Sequence, residues 1–180
     1  QARYDLAVAR TSDLTVDERV RCWELLQENM KDMYENSSWG WDPEDKYEEL
    51  FHKDTRFILA RRKADDNELI GYAAFRFEVE EGEDVVYLYE VQISNSCRRQ
   101  GLGRILMEQA RRIGEQYKMN RIMLTVFNAN VPALKLYESL GFCLDPASPG
   151  YVGEDSDSAG DVGEEEAEEA DYRILSRSCF

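Results

Sequence analysis

Residues 69–94 hold two strand-like runs, 69–79 and 85–94, joined by the acidic, glycine-containing turn EEGED. Runs of this length around a short turn pair as consecutive antiparallel strands. The second run passes through RRQGLG (98–103) into a segment where Leu102, Ile105, Leu106, Ala110 and Ile113 share one helical face. The chain must therefore build a sheet in which one strand leads, through a glycine-arginine loop, straight into an amphipathic helix.

The remaining segments fit around that unit. Residues 4–9 read as a first strand, and Thr15-Val16-Asp17-Glu18 is a capping box ahead of a helix carrying Val16, Val20, Trp23, Leu26, Met30 and Met33 at helical spacing. Asp42-Pro43 opens a short second helix, with Asp as cap and Pro in the first turn. Residues 57–61 and 121–127 read as strands, and 131–140 as a helix stopped by Gly141. With a last strand over 172–176 the order is β-α-α-β-β-β-α-β-α-β, an α+β layout on a mixed sheet. A chain of 180 residues with 43% hydrophobic content suits one domain with one core, so the whole of 1–180 is expected to be a single domain.

Composition excludes several functions. No apolar run approaches the ~20 residues of a membrane span, and QARYDLAVAR lacks a signal peptide's hydrophobic segment. An intracellular protein with no membrane partner is expected. Cys22, Cys97, Cys143 and Cys179 show no C-x-x-C spacing, so neither zinc nor a disulfide framework is indicated. His52 is the only histidine and has no nucleophile beside it in sequence, which argues against a Ser-His-Asp or Cys-His mechanism. The net charge of -15 is uneven: residues 153–171 hold ten acids and no Lys or Arg. Such a run cannot bury apolar surface and is expected to be a solvated, disordered insert.

Against that acidity the basic loop stands out. A strand ending at Ile93 and a helix starting near Leu102 present backbone N–H groups at a helix N-terminus, where the dipole carries roughly +0.5 charge and favours a pyrophosphate. Gly101 and Gly103 let the backbone approach closely, and Arg98, Arg99 and Arg104 can add charge-assisted hydrogen bonds. Walker A would need Gly-Lys-Ser/Thr, and the dinucleotide fingerprint a third glycine where Leu106 stands.

Arg98-Arg99-Gln100-Gly101-Leu102-Gly103 resembles the acetyl-CoA pyrophosphate loop of the GCN5-related N-acetyltransferase (GNAT) superfamily. Asn130, Ala133, Tyr137 and Gly141-Phe142 match its N-x-x-A-x-x-x-Y-x-x-x-G-F helix. MYENSSWGW (33–41), FRFEVEEGEDVVYLYEVQ (75–92), MLTVF (123–127) and YRILSR (172–177) resemble, more closely, the superfamily's histone-specific, D-type N-alpha-acetyltransferases. The resemblance implies a mostly antiparallel sheet of about seven strands flanked by about four helices. It implies acetyl-CoA as cosubstrate with no metal. It also implies transfer to the N-terminal serine of histones four and two-A, by a monomer of nucleus and cytoplasm that binds no nucleic acid.

The same resemblance assigns residues. Glu90 is the expected general base, the Val91 backbone N–H the donor to the thioester carbonyl, and Tyr137 the proton donor to the leaving thiolate. Cofactor contacts are expected from Val91, Ile93, Arg98, Arg99, Gln100, Gly101, Leu102, Gly103, Arg104 and Asn130. Substrate contacts are expected from Tyr34, Trp39, Glu78, Tyr87, Tyr89, Thr125 and Tyr172, aromatic, hydroxyl and carboxylate groups that suit a Ser-Gly-Arg-Gly start. Strict alternation conflicts with this set, because it puts Glu90 on one sheet face with Val86, Leu88 and Gln92, and Tyr87 and Tyr89 on the other. A bulge near Glu90 would reconcile them. Two alternatives stand beside this reading. One is a generic GNAT acetylating a lysine side chain or small amine, and the other a non-catalytic acidic histone-binding module.

Overall fold

The computed structural model describes residues 4–63, 67–151 and 170–180. Its elements are β1 (Tyr4–Arg10), α1 (Val16–Glu35), α2 (Pro43–Leu50), β2 (Arg56–Arg62), β3 (Leu69–Glu80), β4 (Glu83–Ile93), α3 (Leu102–Gln116), β5 (Arg121–Phe127), α4 (Val131–Ser139), β6 (Cys143–Leu144) and β7 (Tyr172–Ser178). They form one seven-stranded sheet in the order β1-β2-β3-β4-β5-β7-β6. Every pairing is antiparallel except β4 with β5, which α3 joins as a crossover. The fold is the expected α+β arrangement. The two-residue strand β6 is an addition, too short to leave a period-two signal in sequence.

Local chemistry sets the helix starts. The Thr15 hydroxyl accepts from Glu18 N at 3.2 Å while the Glu18 carboxylate accepts from Thr15 N at 2.8 Å, completing the capping box. Asp42 accepts from the N–H groups of Glu44 and Asp45, with Pro43 behind it. Tertiary packing then sorts the faces. Val86, Leu88, Phe75 and Ile122 pack with Leu102, Leu106 and Ala110 of α3 and with Tyr137 of α4. On the opposite face Phe57, Leu59, Tyr72 and Ala74 pack with Cys22, Leu25 and Leu26 of α1 and with Leu50 of α2.

The acidic insert expected over 153–171 lies outside the described residues up to 169. Its last two residues are described and fixed. Asn128 donates from its side chain to the Ala170 carbonyl and from its main-chain N–H to the Asp171 carbonyl, at 2.9 and 2.8 Å. Asp171 is therefore part of the folded sheet margin, because β7 needs an anchored start beside the end of β5.

Candidate active site

The ladder between β4 and β5 is short. It joins Val85–Leu88 to Arg121–Leu124 and stops, so the second halves of the two strands part and leave a cavity of about 370 Å³ between them. β4 also changes register there: Ala74 opposes Glu90 while Phe75 opposes Leu88, so Tyr89 is an extra residue in a β-bulge. The bulge moves Glu90 onto the face of Tyr87 and Tyr89, and all three line the cavity. The conflict with strict alternation is resolved as the sequence required.

Backbone phase follows from one bond. Ser94 N–H donates to the Ile70 carbonyl at 2.8 Å, which makes Ile70 and Ser94 a hydrogen-bonded pair. Pairs alternate, so Val91 opposite Ala73 and Ile93 opposite Gly71 are non-bonded pairs. Their N–H groups point away from β3, toward the side that β5 has left. The Ile93 carbonyl points the same way and takes donors from Asn29 and Arg98.

The structure brings most of the expected residues together. Tyr34, Trp39, Tyr87, Tyr89 and Thr125 of the substrate set line the cavity, as do Glu90, Val91 and Tyr137 of the catalytic set and Asn130 of the cofactor set. Trp39, 51% exposed, stands at the mouth with its ring 5.0 Å from Tyr172 and 5.3 Å from Phe127. Tyr34 is buried, edge-on to Phe127 at 5.0 Å. Tyr87 and Thr125 share a hydroxyl contact of 2.5 Å across the gap between β4 and β5. Glu78 is not in the cavity wall: it accepts from the Tyr89 hydroxyl at 3.2 Å, and Glu80, two residues on, takes the wall position. His52 is exposed at the end of α2 and lines no part of the cavity. Cys97 is buried, with Arg62 donating to its sulfur at 2.8 Å.

Glu90 is 6% exposed and both its oxygens are engaged. Oε1 lies 2.8 Å from the Lys46 ammonium, and Oε2 accepts from Gln92 Nε2 at 2.6 Å. Asn29 donates to Gln92 at 3.0 Å, and Arg98 donates to Asn29 at 2.6 Å. A directed chain of donors thus runs from the basic loop to the buried carboxylate, each bond polarising the next. Lys46, Asn29 and Glu49 escaped the sequence reading, since nothing in their spacing marks them; only the docking of α1 and α2 over β4 does.

Titration follows burial. Desolvation pushes the Tyr34 and Tyr137 hydroxyls well above the ordinary phenol range, and the Glu90 charge pushes them further, so both stay protonated donors at neutral pH. Burial pushes Tyr89 up to about 12 against the pull of Arg76, whose guanidinium sits 4.1 Å from the ring centre. Burial alone would lower Lys46, but Glu90, Tyr34 and Glu49 outweigh it and hold the ammonium above the usual lysine range.

The loop after β4 turns sharply into α3. Gly101 caps α3 in the left-handed region, φ 85°, which L residues avoid, and the first-turn N–H groups of α3 open beside it. Gly103 has a different reason for being glycine. A Cβ there would lie 3.0 Å from Leu136 of α4 and 3.4 Å from Ile93, so its bareness allows helix packing. Arg99, Gln100 and Arg104 are exposed around this turn while Leu102 is buried, and Arg104 donates to Ser139 of α4 at 3.1 Å. Asn130 caps α4 by accepting from Ala133 N at 3.3 Å. Among the described residues no group of three or more His, Cys, Asp or Glu could hold a metal, and no helix is long and apolar enough to cross a membrane.

Comparisons with known proteins bear on this geometry. The profile of a family described as "Acetyltransferase (GNAT) family" matches residues 20–142. N-alpha-acetyltransferase 40 of Saccharomyces cerevisiae is 42% identical over 72 residues, which cover 36% of this chain and 25% of the yeast protein. The chain spans less than half the length of the curated relatives it matches. Among solved structures, Arabidopsis thaliana NAA60 with a bisubstrate analogue superposes with a TM-score of 0.64 at 12% identity, covering 97% of this chain and 98% of that one. A paia N-acetyltransferase from Thermoplasma acidophilum in complex with coenzyme A superposes at 0.61 with 15% identity, covering 97% and 99%. At such identities these two structures speak for the fold.

Proposed function

The chain belongs to the acetyltransferase (GNAT) family, whose acetyl donor is acetyl-CoA, and within it we propose an N-terminal acetyltransferase acting on the serine amine of histones four and two-A. The observation that carries this reading is the cavity between β4 and β5, where Glu90, Tyr34, Trp39, Tyr87, Tyr89 and Thr125 converge. The partial likeness to the yeast N-alpha-acetyltransferase supports it.

The chain's own groups fit the chemistry. An α-amine has a pKa near 7.7–8.0, so a nearby carboxylate needs to take only one proton, directly or through one water. Glu90 is the carboxylate in position. The Val91 N–H, turned from β3, is the donor for a carbonyl oxygen that gains charge during transfer. Tyr137, kept protonated by burial, is the donor for a departing thiolate. The first-turn N–H groups of α3 with Arg98, Arg99 and Arg104 form the pyrophosphate cradle. Narrow aromatic walls around Trp39 and Tyr34 admit a glycine in second position, and Glu80 and Glu49 in the wall favour a cation in third. With this reading go histone tails as partners, a nuclear and cytoplasmic location, and a monomer that binds no nucleic acid.

The same acidic wall would accept a polyamine, so the deciding experiment compares acceptors. Coenzyme A release is measured with Ser-Gly-Arg-Gly-Lys, its N-acetylated form and spermidine, then with Ala-Gly-Arg-Gly, Ser-Ala-Arg-Gly and Ser-Gly-Lys-Gly peptides. The free peptide should be the substrate and its acetylated form inert. Each single change should lower kcat/KM by about tenfold or more, since a lost hydroxyl or guanidinium leaves buried partners unpaired and an added Cβ at the second position presses on the aromatic wall. Equal rates for all peptides, or a preference for spermidine, would return the chain to the generic acetyltransferases.

A further inference from the structure

A buried cation beside the proposed base is an unexpected neighbour for an amine-binding site. Lys46 reaches from α2 with 12% of its side chain exposed, lies 2.8 Å from Glu90, and contacts Glu49, itself 39% exposed, on its other side. Its ammonium is also 4.8 Å from the centre of the Tyr34 ring, a cation–π distance. The groups facing Glu90 are Lys46 and Glu49 from α2, Tyr34 from α1, Tyr72 from β3, Tyr137 from α4, and the amide of Gln92 from its own strand. Lys46 is the cation among them; the tyrosines are neutral.

We propose that Lys46 is a positioning residue acting through Glu90: it keeps that carboxylate ionised where it is buried and, by repulsion, disfavours a second cation there, so that the acceptor amine is held neutral. Both effects come from one charge. An opposite charge within about 4 Å favours the ionised carboxylate, and a like charge disfavours the ammonium form of an amine bound against it. Glu49 tethers Lys46 from its other side. The inference rests on reading this cavity as the acceptor-amine site, not on which amine enters.

Lys46→Met removes the charge and keeps the stem. With the best acceptor found, the acid limb of the kcat profile should move to higher pH by about one unit or more, with the rate recovering at alkaline pH. Lys46→Arg should restore the parent limb even where its absolute rate is lower. A Lys46→Met loss that is uniform across pH would reduce Lys46 to a packing role and overturn the proposal. A second measurement needs no acceptor: carboxyl ¹³C NMR titration of Glu90, its resonance assigned with Glu90→Gln, should show protonation at higher pH in Lys46→Met or, if that variant melts early, Lys46→Gln. An unmoved titration in both overturns the proposal. If the titration moves while N-terminal peptides are not acetylated, the functional reading falls and the Lys46 role stands.

Discussion

Asp171 gives both carboxylate oxygens to Ser38, one to its N–H at 2.6 Å and one to its hydroxyl at 3.0 Å. This contact spans 133 residues of sequence and ties the Ser37–Trp41 turn to the start of β7, next to where Trp39 meets Tyr172 edge-on. Position matters more than strength here, because Ser38 is exposed, Asp171 is only half-buried, and water competes. Asp171→Ala should therefore raise KM for a Ser-Gly-Arg-Gly peptide by about fivefold with acetyl-CoA affinity unchanged, the size of one modest hydrogen bond. Steady-state kinetics with each substrate varied in turn would check it, and an unchanged peptide KM would mean that the turn holds Trp39 without help. Charge content alone places Asp171 in the acidic run, and no local pattern distinguishes it from its neighbours.

Two elements decide where the chemistry sits: the bulge in β4 and the start of α3. The bulge was foreseeable because the aromatic and acidic residues of YLYEVQ could share a face in no other way. The two glycines of the loop look equivalent in sequence and are not. Gly101 has nothing within 4 Å of a built Cβ but sits at positive φ, whereas Gly103 has ordinary backbone and Leu136 in the way. Gly103→Ala should thus cost roughly 1–3 kcal/mol of unfolding free energy, as overpacking does. Adding Leu136→Ala should recover part of that cost, while the same addition should recover none of the strain in Gly101→Ala. Urea unfolding of the single and double variants measures this coupling; strictly additive costs for Gly103→Ala and Leu136→Ala would refute the packing explanation. Gly103→Asp is accordingly a poor probe of phosphate binding, since it disturbs the α3–α4 contact as well.

Across the whole molecule, the buried titrating groups act in one direction at high pH. Tyr34, Tyr72 and Tyr137 are pushed up by burial, and Lys46 is raised because its acidic neighbours outweigh burial. In each case the folded state holds the proton more tightly than the unfolded chain. Their stabilisation is complete below the unfolded values, about 10 for Tyr and 10.4 for Lys, and is lost as pH rises through the folded ones. Melting temperature should be insensitive to these groups near neutrality and fall steeply above about pH 10. Tyrosinate absorbance of the native protein should lag for five of the ten tyrosines, these three together with Tyr87 and Tyr89, which burial also raises; a single unshifted midpoint for all ten would show that they are not buried as described.

The element order, the caps at Thr15 and Asp42 and the basic loop ahead of α3 were legible in sequence because each rests on neighbours within a few residues. Periodicity, capping and turn chemistry are local, and apolar spacing already says which face must be covered. What covers it is a three-dimensional outcome. That Lys46 meets Glu90, that Asn29 and Gln92 link Arg98 to that carboxylate, that Glu80 rather than Glu78 lines the cavity, and that Gly103 must be bare for Leu136 were settled only when α1, α2 and α4 docked on the sheet. Electrostatic and steric energies fall off over a few ångströms in space, and residue spacing along the chain carries no record of those distances.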